Sequence, residues 1–263
     1  MRMLSVVLTA VLLVVTGLAP AAAAPPAAEP APDSAHATVT AQDVRELVER
    51  VLDAYGGRAA LDRVKAYRAE GRVVAVMQGR EGPTTRLFQR PNRLRIELRY
   101  AVEPELRIVA GARGWRGSED GVEPASGPML DAMILQAARA AVPWILMEHA
   151  AEARRIEPRE HRGRQLVGLE IPLGGGMTLR LWIDPSTRRV EVSQGTLAHH
   201  GMGTAFETAY GDFRMVDGVL FAFREENYAS GAHTGYTAIE RVVLNPKPRP
   251  GDFAPPREKG SDS

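Results

Sequence analysis

Residues 90–115 read RPNRLRIELRYAVEPELRIVAGARGW. Within this stretch Leu94, Ile96 and Leu98 alternate with arginine and glutamate, so that every second side chain is apolar. This period of two is typical of a β-strand that buries one face and exposes the other to water. Leu106–Val109 predicts a second strand a short distance further along the chain. A connection this short favours antiparallel neighbours within one sheet.

The same alternation recurs along most of the chain. Its apolar positions include Leu179, Leu181, Ile183, Val219, Phe221 and Phe223. Further strands are predicted at Arg68–Met77, Thr84–Gln89, Gln165–Ile171, Arg189–Ser193, Phe206–Phe213 and Tyr236–Leu244. Turns are predicted at Gly79, Gly82-Pro83, Pro91-Asn92, Gly174–Gly176, Asp184-Pro185 and Asp217-Gly218. The sequence therefore predicts a long meander of antiparallel strands.

Two segments carry a helical period instead. Thr38–Tyr55 has one apolar stripe, Thr40 can cap its N-terminus, and Gly56-Gly57 can end it. Gly127–Arg155 is rich in apolar residues and predicts two helices that meet near Pro143, because proline cannot continue a helix. The predicted fold class is α+β, with the helix pair covering the apolar face of the sheet.

Composition removes several classes of protein. The 263 residues include no cysteine, which excludes a disulfide scaffold, a thiolate metal site, a cysteine nucleophile and a lipid anchor on cysteine. The 33 basic and 32 acidic residues nearly cancel, so that no general field attracts nucleic acid. A hydrophobic fraction of 44% is ordinary for a globular domain. We therefore expect a globular protein without a nucleic-acid partner.

The N-terminus predicts export. Residues 1–24 combine a charged start at Arg2, an apolar run and an exit of small residues, which are the parts of a secretory signal peptide. A membrane anchor is the alternative, but the apolar run is short for a bilayer core. Residues 25–37 predict a disordered leader rich in proline and alanine, 38–256 a single domain and 257–263 a disordered tail. The mature protein is expected to be periplasmic or secreted.

Several motifs follow one another in an order that resembles a known family. In chain order they are Ala54–Leu61 (AYGGRAAL), Arg90-Pro91-Asn92, the segment from Leu106 to Trp115, Val216–Phe223 (VDGVLFAF) and Asp252–Pro256 (DFAPP). Together with the helix pair in the middle, this order resembles the periplasmic lipoprotein-carrier superfamily, that is, LolA-like or outer-membrane lipoprotein-sorting-like proteins. The resemblance extends over nearly the whole predicted domain.

The resemblance implies an incomplete β-barrel, a strongly curved antiparallel sheet whose apolar concave face is covered by the helix pair as a lid. In the family this cavity receives acyl chains of a lipoprotein in transit between membranes. The arginine of the R-P-N turn, which Arg90 matches, is expected to act as a latch on the lid. The implied partners are a lipid or lipoprotein acyl chain and membrane-bound donor and acceptor proteins, and a monomer without a cofactor is expected.

Strand alternation and the resemblance together predict the residues of the ligand cavity. They are Leu94, Ile96, Leu98, Trp115, Met133, Ile134, Trp144, Ile145, Leu179, Leu181, Ile183, Phe221 and Phe223. Methionines adapt to varied apolar shapes, which favours a ligand site, whereas the alternative is that the helix pair simply closes the core. The predicted function is a carrier, and the alternative is an envelope sensor or protein-interaction module with the same fold and no transported ligand.

No pattern of residues supports an enzyme. His199 and His200 are adjacent, and adjacent strand residues point to opposite faces, so that both could bind one ion only from a loop. Glu225 and Glu226 face opposite ways for the same reason. The basic stretch at 154–164 is mixed with glutamate and indicates a solvated face, with docking of an acidic partner as the alternative. We therefore assign no catalytic residue and no metal ligand.

Overall fold

The computed structural model describes residues 40–199, 202–247 and 249–256. The helices in these residues are α1 (Ala41–Ala54), α2 (Arg58–Arg63), α3 (Gly127–Ala140) and α4 (Trp144–Glu148). The strands are β1 (Ala66–Ala75), β2 (Arg80–Gln89), β3 (Arg93–Leu98), β4 (Glu105–Ala110), β5 (Arg113–Ser118), β6 (Gly121–Ala125), β7 (Arg154–His161), β8 (Arg164–Gly174), β9 (Met177–Ile183), β10 (Val190–His199), β11 (Met202–Val216), β12 (Val219–Ala229) and β13 (Ala232–Leu244). The predicted signal peptide, the leader, the tail after residue 256 and His200 lie outside the described residues.

The described strands form one antiparallel sheet that is strongly curved and not closed into a barrel. β1 lies in the middle of the sheet and pairs with both β2 and β13. From β2 the strands follow in chain order to a free edge at β6, and from β13 they run back in reverse order to a free edge at β7. The predicted α+β meander is thereby confirmed, and β1–β13 is the one pairing in it between strands far apart in the sequence.

α3 and α4 connect the two free edges of the sheet. The chain leaves β6, passes through α3 and α4, and re-enters the sheet at β7, so that these helices have to cross one of its faces. α3 contacts β4 and β5 near one edge and β9, β10 and β11 toward the other. Because it reaches both arms of a curved sheet, it lies on the concave side. The helix pair predicted on either side of Pro143 is confirmed, and none of the described helices is long and apolar enough to cross a membrane.

Trp144, the first residue of α4, lies at the centre of the hydrophobic core. Its side chain is 1% exposed, and the indole Nε1 donates a hydrogen bond to the carbonyl of Leu61 at 3.0 Å. Its ring stacks on those of Tyr67 and Phe88, with centroids 5.8 Å and 6.2 Å away, and Phe221 contacts it from β12. Buried aromatic rings remove a large apolar area from water. This cluster therefore fixes α4 against one end of the concave face.

α1 begins and ends where the sequence predicts. Thr40 and Asp43 form a complete capping box, in which each side chain binds the backbone N–H of the other. At the other end Gly56 has a φ of +114°, and a Cβ built on it would lie 2.0 Å from the carbonyl oxygen of Gly218. A glycine is therefore required here, because α1 ends against the turn between β11 and β12.

The predicted turn at Gly82-Pro83 is wrong. Both residues lie inside β2, opposite Val73 and Arg72 of β1, and the chain reverses earlier, through a short 3-10 turn that ends at Gly79. Proline has no backbone N–H to donate, but the carbonyl of Pro83 accepts a hydrogen bond from Arg99 N at 2.9 Å. Arg99 follows the last residue of β3, so that the missing N–H falls where the ladder ends.

Three strands at the edges of the sheet were not predicted. β5 and β6 flank the turn at Glu119-Asp120, and their glycines and prolines mask the alternation. The basic stretch at 154–164 contains β7, where the Arg159 guanidinium binds the Glu207 carboxylate at 2.7 and 2.9 Å. Charged side chains along a free edge discourage pairing with another chain.

The turn between β9 and β10 is organised by the buried carboxylate of Asp184, whose side chain is 1% exposed. One of its oxygens accepts hydrogen bonds from the Ser186 hydroxyl at 2.6 Å and from the backbone N–H groups of Ser186 and Thr187 at 2.7 and 3.0 Å, and the other contacts Arg164. Burial raises the pKa of Asp184, but these hydrogen bonds and the arginine outweigh burial and lower the pKa to about 2.

This carboxylate should make the stability of the protein sensitive to acid. Its pKa in the unfolded chain is about 3.9, so that the stabilisation is complete above that pH and is lost as the pH falls toward the folded-state pKa near 2. We expect Asp184→Asn to remove about 2 kcal/mol of pH-dependent stability, measured by urea unfolding between pH 5 and pH 2. Asp53→Asn, on the exposed side of α1, is the control. An unchanged pH dependence in Asp184→Asn would contradict this role.

Candidate functional site

A cavity of about 400 Å³ lies on the concave face, beside the C-terminal half of α3. Its apolar wall includes Val73, Ile96, Leu98, Phe206 and Ile239. Its polar wall includes Arg86, Gln136, Arg139, Glu225, Asn227 and Thr237. The cavity thus presents apolar and charged surface side by side.

The cavity begins where the hydrophobic core stops along the same strands. In the β2–β3 ladder, Phe88 lies opposite Leu94, and both are 1% exposed in the core. The next pair with the same orientation is Arg86 and Ile96, which line the cavity. α1 and α4 fill only one end of the concave face, and the long central strands continue beyond them. The cavity occupies that remaining part.

Arg86 and Glu225 form a buried ion pair in the wall of the cavity. The two guanidinium Nη atoms donate to the two carboxylate oxygens at 2.7 and 2.6 Å, and the side chains are 18% and 10% exposed. Burial by itself lowers the pKa of Arg86, but the attraction of Glu225 and the two hydrogen bonds outweigh burial and raise it. A bidentate pair of this kind is held in one orientation and is electrically neutral as a unit.

Two buried tyrosines attach the C-terminal end of α3 to the sheet beside this pair. The Tyr67 hydroxyl donates to the carbonyl of Ala140 at 2.8 Å, and burial raises the pKa of Tyr67 to about 12. The Tyr210 hydroxyl bonds Ser193 Oγ at 2.7 Å and donates to the carbonyl of Arg139 at 3.4 Å. Carbonyl groups in the last turn of a helix have no partner within the helix, and these hydroxyls satisfy two of them.

A second hollow of about 380 Å³ adjoins the cavity along α3. Met129 and Met133 line it, and Met129 is 44% exposed. The residues that line both spaces are Arg107, Gln136, Arg139 and Phe206. An apolar chain held in the cavity could therefore extend along α3 toward Met129 and Met133.

The predicted cavity residues are distributed over core, cavity and surface. Those buried in the core are Leu94, Trp144, Ile145, Leu179, Leu181, Ile183 and Phe223, and Ile134 and Phe221 pack against them. Ile96, Leu98 and Met133 belong to the same buried cluster, but Ile96 and Leu98 also line the cavity and Met133 also lines the hollow. A Cβ on Gly114 of β5 would meet Leu130 and Met133 of α3, so that the next residue, Trp115, faces the other side of the sheet.

Arg90 lies in the turn between β2 and β3, and its side chain contacts α4. Its partners are a carboxylate and a loop carbonyl: Nε donates to Glu148 Oε1 at 3.0 Å, and Nη1 donates to the carbonyl of Val64 at 3.5 Å. Asp62 lies 3.7 Å away. Arg90 thus ties the last residue of α4 to the packed end of the sheet, at the opposite end of β2 from the cavity.

The charged residues of the cavity were not predicted from the sequence. Glu225 continues the alternation of Phe221 and Phe223 by one further step, and Arg86 precedes Phe88 by two residues. The signal was a charged residue at an inward position of a strand, which is costly to bury without a partner. Neither residue reveals by itself that the other, 139 positions away, faces it.

Among the described residues, no group of three or more histidines, aspartates and glutamates is placed to hold a metal ion. The opposite orientation predicted for Glu225 and Glu226 is confirmed, since Glu226 binds Arg224 and His233 on the other face of β12. The backbone of His199 belongs to β10, and His200 lies outside the described residues.

The sequence matches no protein-family model and no curated protein. The structure is similar to that of an outer membrane lipoprotein-sorting protein domain from Vibrio parahaemolyticus, at 11% identity and a TM-score of 0.50, over 82% of this chain and 97% of that one. It is also similar to a LolA superfamily protein from Nitrosomonas europaea, at 14% identity and a TM-score of 0.50, over 80% and 96% of the two chains. This chain has the LolA-like fold.

The resemblance predicted from the order of short motifs is thus confirmed for the fold. At 11% and 14% identity the likeness is one of architecture. The resemblance did not predict the ion pair of Arg86 and Glu225 in the cavity wall.

Breaking that ion pair should destabilise the protein strongly. Glu225→Leu leaves a guanidinium buried without its carboxylate, and we expect the free energy of unfolding to fall by about 3–5 kcal/mol. The double variant Arg86→Met/Glu225→Leu removes both charges and should regain most of this loss. Urea unfolding of the wild-type protein and of both variants measures the loss and the recovery of stability.

The exposed pair of Asp212 and Arg214, with side chains 48% and 54% exposed, supplies the control. Asp212→Ala should cost less than about 1 kcal/mol, because water screens an exposed pair. If Glu225→Leu costs no more than Asp212→Ala, the buried pair does not stabilise the cavity wall.

Proposed function

We propose that this chain is a periplasmic binding or carrier protein that holds an acyl chain of a lipid or lipoprotein in the cavity beside α3. The observation that carries the proposal is the cavity, whose volume of about 400 Å³ falls within the range of 300–1,000 Å³ usual for ligand sites. One of the proteins with a similar structure is described as a lipoprotein-sorting domain, which supports the choice of ligand class.

The apolar wall of the cavity provides the affinity. Each methylene group moved from water into such a site contributes about 0.8 kcal/mol. A chain of about ten methylenes therefore gains roughly 8 kcal/mol before the costs of association are subtracted. Met129 and Met133, in the adjoining hollow, offer adaptable apolar surface to the part of the chain that leaves the cavity.

The predicted signal peptide supports a function in the cell envelope. It would deliver the chain to a compartment bounded by membranes, where a carrier can transfer an acyl chain from one membrane to the other. Transfer of the ligand requires a membrane-bound donor and a membrane-bound acceptor, which are the partners that the proposal implies. Detection of the bound lipid is the direct test of the proposal.

Filling the cavity should remove the ligand. Leu98 is 8% exposed and lines the cavity, so that Leu98→Trp places a larger apolar side chain in the space proposed for the acyl chain. We expect lipid to co-purify with the wild-type protein and to be detected by native mass spectrometry, and we expect at least a tenfold smaller lipid-bound fraction in Leu98→Trp. Val102→Trp, at a surface position that is 70% exposed, is the matched control and should keep its lipid.

Absence of lipid from the wild-type protein and from the control would contradict the proposed function. So would equal amounts of lipid in Leu98→Trp and Val102→Trp. Thermal unfolding of both variants establishes that each is folded before the lipid is compared.

Release of the acyl chain should depend on Arg90. Arg90→Leu removes the contacts with Glu148 and Val64 and frees the end of α4, so that the helices can move away from the sheet more easily. Loss of about 1.4 kcal/mol of charge-assisted hydrogen bonding predicts that an uncharged fluorescent palmitoyl amide dissociates about tenfold faster. Stopped-flow displacement measures this rate, with Arg93→Leu as the exposed control in β3. Equal rates for the two variants would show that Arg90 is no latch.

A further inference from the structure

Four arginines line the cavity, and three of them have carboxylate partners within the protein. Arg86 binds Glu225, and Arg80 and Arg107 both bind Glu105. The fourth is Arg139, in the last turn of α3. Among the described residues, no carboxylate oxygen lies within 4.0 Å of its guanidinium group. Arg139 is therefore the one arginine of the cavity that has no carboxylate partner among the described residues.

The Arg139 guanidinium also lacks hydrogen-bond acceptors. Its Nη1 atom is buried and has no hydrogen-bond partner among the described residues. This atom lies beside Gly195 of β10, where a Cβ would come within 3.1 Å of Nη1 and 2.9 Å of a methyl group of Leu135. The glycine thus leaves the room that the guanidinium occupies. The side chain as a whole is half-buried, and it lines both the cavity and the hollow.

A cation that buries a nitrogen without a hydrogen-bond partner costs free energy, and the surroundings of Arg139 offset this cost only in part. Burial lowers the pKa of Arg139 and the nearby Arg86 adds to this, while Tyr210 and Glu225 act in the opposite direction. The C-terminal end of α3 carries partial negative charge, which stabilises a cation in its last turn. Arginine nevertheless stays protonated in proteins, so that the positive charge remains in the cavity.

The charge lies directly beside apolar surface. Arg139 lines the same cavity as Ile96 and Leu98, and its guanidinium carbon lies 6.0 Å from the centre of the Phe206 ring. A ligand that matches this arrangement has one negative group and one apolar chain. The planar fork of a guanidinium fits the two oxygens of a carboxylate, and it also binds phosphate oxygens. At about 400 Å³ the cavity is near the lower end of the range for ligand sites, which favours a single chain.

We propose that Arg139 binds the oxyanion headgroup of a single-chain amphiphile, whose acyl chain lies against Ile96, Leu98 and Phe206. This inference rests on the proposed function, since it names the class of lipid that the cavity takes. It adds selectivity for charge, which an apolar cavity alone would not have. The ligand class is that of long-chain fatty acids or monoalkyl phosphates, which share the oxyanion that the guanidinium recognises.

The test compares three probes of equal chain length with the delipidated full-length protein. Palmitate carries a carboxylate, hexadecyl phosphate carries a phosphate and hexadecanol carries no charge. Their affinities are measured by competition against the uncharged fluorescent palmitoyl amide at constant ionic strength. We expect palmitate or hexadecyl phosphate, or both, to bind at least tenfold more tightly than hexadecanol. The order of the two anions identifies the headgroup.

Arg139→Gln should abolish this preference for anions and leave the affinity for hexadecanol within about twofold. The variant should fold, because it removes a buried charge that has no partner, and thermal unfolding without ligand checks this. Arg139→Lys, which keeps the charge but loses the fork, should retain part of the preference. Arg214→Gln removes one arginine from an exposed pair on β11 and is the control for net charge.

Three outcomes would overturn the proposal. Equal binding of all three probes by the wild-type protein would refute the anion site while leaving the acyl-chain cavity intact. A preference that persists in Arg139→Gln would assign the selectivity to another group. Competition by acetate or inorganic phosphate at the concentrations at which palmitate or hexadecyl phosphate competes would show a site for free anions. Failure of every long-chain probe, including the palmitoyl amide, would instead refute the proposed function itself.

Discussion

The architecture depends on one constraint: the chain has to pass from one free edge of a curved sheet to the other. β6 and β7 are the two edges, and α3 and α4 are the connection between them. On the concave side, Trp144 of this connection joins Tyr67, Phe88 and Phe221 in the core. The crossing therefore creates the core at one end of the concave face.

The same crossing creates the cavity. α4 and α1 are short compared with the central strands, so that they cover only part of the concave face. Beyond the aromatic cluster, the inward positions of β2 and β12 change from aromatic to charged at Arg86 and Glu225. Tyr67 and Tyr210 hold the end of α3 above this region through the carbonyls of Ala140 and Arg139. Core and cavity are thus two ends of one continuous surface.

Charge within the cavity adds to the proposed function a selectivity that volume alone does not provide. A neutral bidentate pair contributes little net field, whereas the single carboxylate of Glu105 is shared by Arg80, Arg107 and Arg116. Arg139 differs because the helix places it where its neighbours are already paired with one another. Under our proposal, one such cation would let the cavity discriminate among lipids by their headgroups, whereas an apolar surface discriminates only by the length and shape of the chain.

Local sequence patterns predict the α+β class, the meander, the capping box of α1 and the helix pair around Pro143, because each depends on neighbours within a few residues. They also place Ile96 and Leu98 on the inward face through the period of two. Leu181 and Ile96 have the same local pattern and both are buried, but their tertiary neighbours enclose Leu181 in the core and leave Ile96 bordering the cavity. The tertiary structure also brought Arg86 to Glu225 and left Arg139 without a carboxylate. Alternation specifies which side of a strand a residue faces, but what it meets there depends on where the helices end.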